Sequence, residues 1–181
     1  MIRHLLQAIV LTLLAYLSQV TISYHIAFHG VAPNLALAIL AIVSVALGKK
    51  YTFIMSLGVG YLIEIMMPSL NYFSIILYPT CAIISSLFFA DKSERKLEEE
   101  RNNQKAGTNM NAHIRTPLCA MVSAELFEGV HQFYSYLAGV PFTQDRLARA
   151  LISIAYTTLA AGVLQFPIRF LLGTYKLPKA N

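Results

Sequence analysis

PNLALAILAIVSVALGKKYTFIMSLGVGYLIEIMM, residues 33–67, contains two apolar runs divided by Gly48, Lys49 and Lys50. The first opens at Pro33, a residue suited to the first turn of a helix, and carries no charge as far as Leu47. The second, Tyr51 to Met67, holds one acid, Glu64, and stops before Pro68. A bilayer-spanning helix needs roughly 20 apolar residues, and about 17 suffice when loops or snorkelling side chains make up the thickness. Both runs read as spans, short ones for helices that face lipid.

Outward from this pair, four further apolar runs appear. One precedes it at about 5–28, its end marked by Gly30. Three follow at about 72–90, 117–138 and 149–172. Ser69, Leu70 and Asn71 make a tight turn after Pro68. The one long polar stretch, 91–115, begins DKSERKLEEERNNQK and gives way to the turn-rich AGTNMNAH. Leu97 is the only apolar interruption of its charged part, so no coiled-coil seam is present, and it reads as a solvated cytoplasmic loop. The expected fold is an all-α integral membrane protein, a single domain of six transmembrane helices. No internal repeat supports a division.

Composition agrees. Of 181 residues 56% are hydrophobic and 13% charged, and mean hydropathy is +0.57, whereas soluble domains carry about 25% charged residues. The net charge of +5 points to cytoplasmic loops and anionic headgroups rather than nucleic acid. Cys81 and Cys119 lie in or beside apolar runs, without the spacing of a metal site or disulfide framework. Arg3 and His4 precede the first run as in a signal peptide, yet that run is long and lacks a small-x-small cleavage site, so it is expected to stay attached.

Lys and Arg are retained on the cytoplasmic side, which fixes orientation. With the N-terminus inside, the inner segments hold Arg3, Lys49, Lys50, Lys92, Arg95, Lys96, Arg101, Lys105, Arg115, Arg169, Lys176 and Lys179, twelve of the fourteen basic residues, against Arg146 and Arg149 outside. Merging or splitting any span scrambles this alternation. Both termini are therefore expected in the cytoplasm.

Ionisable groups within a bilayer are costly, by about 2.5–3.5 kcal/mol on insertion scales, and each is a functional candidate. Here they are His25, Glu64, Glu125, Glu128 and His131. Glu125, Glu128 and Gln132 share one helix face, with His131 at its edge. Glu128 and His131 have the i, i+3 spacing of carboxylate di-iron bundles, but those need a second Glu-x-x-His, which the chain lacks. A glutamate-based intramembrane hydrolase needs polar groups from several helices, and only this span supplies a cluster. The stripe reads best as facing the bundle or a partner, with no catalytic residue, metal or cofactor expected. Small-xxx-small pairs, Ser44/Gly48, Ser56/Gly60, Ala120/Ala124 and Thr158/Gly162, suit close helix packing. Ser56, Gly58 and Gly60 make the third span slim ahead of Glu64.

With this layout, residues 31–64 resemble the MreD family of rod shape-determining proteins. Pro33 and Asn34 match the opening of its second span, Gly48 to Lys50 its cytoplasmic turn, and Gly60-Tyr-Leu-Ile-Glu64 the acid-terminated end of its glycine-rich third span. The resemblance implies a non-enzymatic scaffold in the bacterial inner membrane, serving cell shape and lateral peptidoglycan synthesis. Its implied partners are MreC, the actin-like MreB, the RodA glycosyltransferase and a class B penicillin-binding transpeptidase. Pro33, Asn34, Ser56, Gly58, Gly60, Glu64, Glu125, Glu128 and Gln132 are then the partner- or helix-packing candidates. The alternative is the substrate-binding subunit of an energy-coupling factor vitamin transporter, also of six spans and similar length.

Overall fold

In the computed structural model, residues 2–28, 30–66, 72–89 and 111–173 are described. They form an all-α structure of six helices. Helix α1 (Ile2–Leu17) continues through a π segment, Ser18–Ile22, into a closing turn, Ser23–His25. It is followed by α2 (Leu35–Leu47), α3 (Lys49–Met66), α4 (Phe73–Phe89), α5 (Ala112–Leu137) and α6 (Gln144–Leu172). The turn at 67–71, most of the polar loop, from 90 to 110, and the C-terminal tail from 174 lie outside the described residues.

Helix α2 is the axis. Every residue from Leu35 to Val45 is buried, so this helix has no solvent-facing or lipid-facing side. At thirteen residues it is about 20 Å long by the 1.5 Å rise, a length that suits a helix sheathed by others. The remaining five surround it: α1 packs on α3, α3 on α4, α4 on α5 and α5 on α6, while α6 and α5 both lie along α2. The ring closes between α6 and α1, where the Tyr156 hydroxyl donates to the Ile26 carbonyl at 2.7 Å. Gly48 alone joins α2 to α3. Its φ of +84° is one that L side chains rarely adopt, and it reverses the chain in a single residue.

Two helices start earlier than hydropathy suggests. Helix α5 begins at Ala112, so the end of the expected polar loop is helical and Pro117 is interior. The Asn111 carbonyl accepts from the Ile114 and Arg115 amides, and the first turns carry His113 and Arg115, which a hydropathy scan counts against a span. Helix α6 begins at Gln144 with Asp145 in its first turn, where an acid meets the positive helix end.

The stretches Leu6–His25 and Gln144–Leu172 are long and apolar enough to cross a membrane. The outside of the ring is rich in large apolar side chains, among them Leu6, Phe88, Leu159, Val163 and Phe170. Cys81 and Cys119 are both free and buried.

Candidate functional site

The start of α2 lies deep in the bundle, so its unpaired amides need partners. Each has one. Leu35 N–H donates to the Pro33 carbonyl at 3.1 Å, Leu37 N–H to Asn34 Oδ1 at 3.1 Å, and Ala36 N–H to Gln19 Oε1 at 3.2 Å. Gln19 belongs to the π segment of α1, whose extra residue per turn re-aims side chains. Ser23 Oγ donates to the Pro33 carbonyl at 2.6 Å. Asn34 also reaches two more helices: its amide donates to Thr157 Oγ1 on α6 at 2.9 Å, and its Nδ2 to Tyr78 Oη on α4 at 3.3 Å. Pro33 and Asn34 thus form a knot joining α1, α2, α4 and α6.

Gly60 and Glu64 make a second junction, between α3 and α4. A Cβ on Gly60 would lie 2.8 Å from the Ser74 carbonyl oxygen and 3.1 Å from Ile75 Cα, so hydrogen at this position is what lets the helices touch. One turn on, the buried Glu64 accepts the Ser74 amide through Oε2 at 3.0 Å. The carboxylate sits at the positive end of α4. Gly58 points elsewhere, a Cβ there meeting the Thr12 methyl of α1 at 2.9 Å. Ser56 is buried and bonds back to the Phe53 carbonyl at 2.9 Å. Of the small-residue pairs, Ser56/Gly60 and Ala120/Ala124 are buried, whereas no atom lies within 4 Å of a Cβ placed on Gly48 or Gly162.

Glu125, Glu128 and Gln132 do lie together. They line an open groove of about 1080 Å³ between α5 and α6, otherwise walled by residues such as Phe133, Leu147, Leu151 and Leu159. No hydrogen bond or ion pair holds any of the three among the described residues. Glu128 also lines a second space, a cavity of about 470 Å³ at the end of the bundle opposite Lys49 and Lys50, with Asn34, Tyr78, His131 and Tyr134. His131 stacks on Phe127 with ring centroids 6.4 Å apart. Glu128 and His131 therefore face the same cavity, but among the described residues no group of three or more metal-ligating side chains comes together. His25 is exposed, edge-on to Tyr24.

Sequence reading missed Tyr78, Thr157, Ser23 and Tyr134. Their signal was polarity inside an apolar run, as with Tyr78 between Leu77 and Pro79, but nothing local says which of several such residues meet. Comparison with family models, curated proteins and solved structures finds no match to this chain.

Proposed function

We propose that this chain is a non-enzymatic scaffold subunit of the bacterial cell-elongation complex, of the MreD kind. In this reading all six helices cross the inner membrane, both termini are cytoplasmic, and the bundle binds an MreC-like membrane protein. MreB, RodA and a class B transpeptidase are the further members of the assembly. The apolar exterior of the ring supports a lipid setting. The polar knot at Asn34 supports it too, since a helix start at membrane depth requires full hydrogen bonding. Pro33, Asn34, Gly60 and Glu64, which carry the resemblance, are spent on joining helices, as a rigid platform requires.

The observation that carries the reading is the α5–α6 groove. Two carboxylates and an amide stand along an apolar channel without a hydrogen bond among the described residues, an arrangement costly in lipid until a complementary surface covers it. The occupant proposed is a transmembrane segment of the MreC-like partner bearing a basic or amide side chain toward Glu125. Copurification from membranes in mild detergent tests this: the partner is recovered with the wild-type chain and lost with the double variant Glu125→Leu, Gln132→Leu. Recovery unchanged by that variant overturns the groove as the docking site, and no recovery with wild type overturns the scaffold. A vitamin retained in native mass spectrometry favours the transporter subunit instead.

A further inference from the structure

The 470 Å³ cavity has a chemistry separate from the groove. Its volume falls within the range of small-molecule sites, roughly 300–1,000 Å³. Phe73 and Tyr134 stack across one side with centroids 4.6 Å apart, and Tyr78 and Phe127 meet at 5.1 Å on another. Ser23 and Ser153 add hydroxyls. Neither lysine nor arginine lines it, and Glu128 is its one carboxylate. The only lining side chain able to become cationic is His131, which is exposed and stacked on Phe127 rather than hydrogen-bonded to Glu128.

An anion in this space meets the carboxylate, and a neutral guest leaves it uncompensated. A cation does neither. Aromatic faces attract a positive charge through their ring quadrupoles, and a carboxylate screened from water adds a charge-assisted hydrogen bond. We infer that the cavity binds a small organic cation, a protonated primary amine carrying an apolar body, with Glu128 as counter-ion and the aromatic rings as walls. The cavity holds this ligand whether or not a partner occupies the α5–α6 groove.

The chain contains no tryptophan, so an indole probe is seen against a clean background. Tryptamine titrated into the full-length protein in maltoside micelles is expected to show a saturable blue shift of indole emission, with one site per chain. Indole-3-propionate, its anionic counterpart, is expected to show none. Glu128→Gln should weaken tryptamine by about tenfold or more, while Asp145→Asn, which removes an exposed acid away from the cavity, should leave it unchanged. Ser135→Leu, which fills the cavity from α5, should abolish binding and serves if the Glu128 variant does not fold. Non-saturable uptake, equal binding of the anion, or full affinity in both cavity variants overturns the proposal. These readouts are independent of partner recovery, so failure here and failure of the scaffold reading are distinguishable.

Discussion

Glu64 and Ser74 are ten residues apart and belong to different helices, yet the Glu64 carboxylate accepts the Ser74 backbone amide at 3.0 Å. An acid at the far end of a slim, glycine-bearing helix invites the reading of a partner contact. Its position gives it an internal task instead: it terminates the N-terminal end of α4 from the neighbouring helix. Only because Gly60 lies one turn earlier can the carboxylate come so close.

Replacing Glu64 should therefore destabilise the bundle itself. Glu64→Leu leaves the Ser74 amide buried without this acceptor and removes a charge from the favourable helix end, an expected loss of about 1–2 kcal/mol. Glu64→Gln keeps an acceptor oxygen and should lose less. Unfolding midpoints in mixed micelles rank the three proteins. Equal midpoints for the leucine variant and wild type would show that the cap contributes nothing.

Glycine substitutions should separate close approach from open space. Gly60→Ala places a methyl against the backbone of α4, which cannot step aside as a side chain can, so a loss of about 1–3 kcal/mol is expected. Gly58→Ala meets the Thr12 methyl at 2.9 Å, a contact that a small shift of α1 relieves at smaller cost. Gly162→Ala meets nothing within 4 Å and should be neutral or gain up to about 1 kcal/mol from helix propensity. The same unfolding assay reads this order, and a Gly60→Ala variant as stable as Gly162→Ala would remove the argument for contact.

Much of the helical layout is legible because apolar runs and their stops are local signals. The run opening at Pro33 and closing before Gly48 holds a helix from Leu35 to Leu47. The early starts of α5 and α6 are hidden because their first turns are polar, and Arg115 or Asp145 reads as loop until the backbone is seen to be helical. The π segment at Ser18–Ile22 is hidden for another reason: nothing in SQVTI distinguishes it from ordinary helix, and it arises where Gln19 and Ser23 must reach the start of α2. The candidate site divides the same way. Asn34 is visible as the opening residue of a helix, whereas its partners Tyr78 and Thr157 lie 44 and 123 residues away, distances over which a single sequence carries no pairing signal.

The Asn34 knot should behave as a network. Tyr78→Phe removes one hydroxyl but keeps the ring against Phe127, and Thr157→Val removes the acceptor for the Asn34 amide. Each is expected to cost about 0.5–1.5 kcal/mol. In a double-mutant cycle with Asn34→Ala, Tyr78→Phe should show a coupling of about 0.5–1 kcal/mol, because the Tyr78 hydroxyl loses its value once Asn34 is gone. Additive losses would mean that the 3.3 Å contact does not hold α4 to α2.

Orientation gives the last test, since the six-span reading makes opposite claims about two exposed residues. Asn111 precedes α5 and Thr143 precedes α6, at opposite ends of a 26-residue helix about 39 Å long. That exceeds a hydrocarbon core of about 30 Å, so both positions should reach water. With the buried thiols removed as Cys81→Ala and Cys119→Ala, Thr143→Cys should react with a membrane-impermeant maleimide on intact spheroplasts, and Asn111→Cys only after lysis. The charge distribution demands this polarity: Lys49, Lys50 and Arg115 share the Asn111 side, and Arg146 and Arg149 are the only basic residues beyond Thr143 assigned outside. Labelling of Asn111→Cys in intact spheroplasts would invert the topology, and the polar cavity would then open to the cytoplasm.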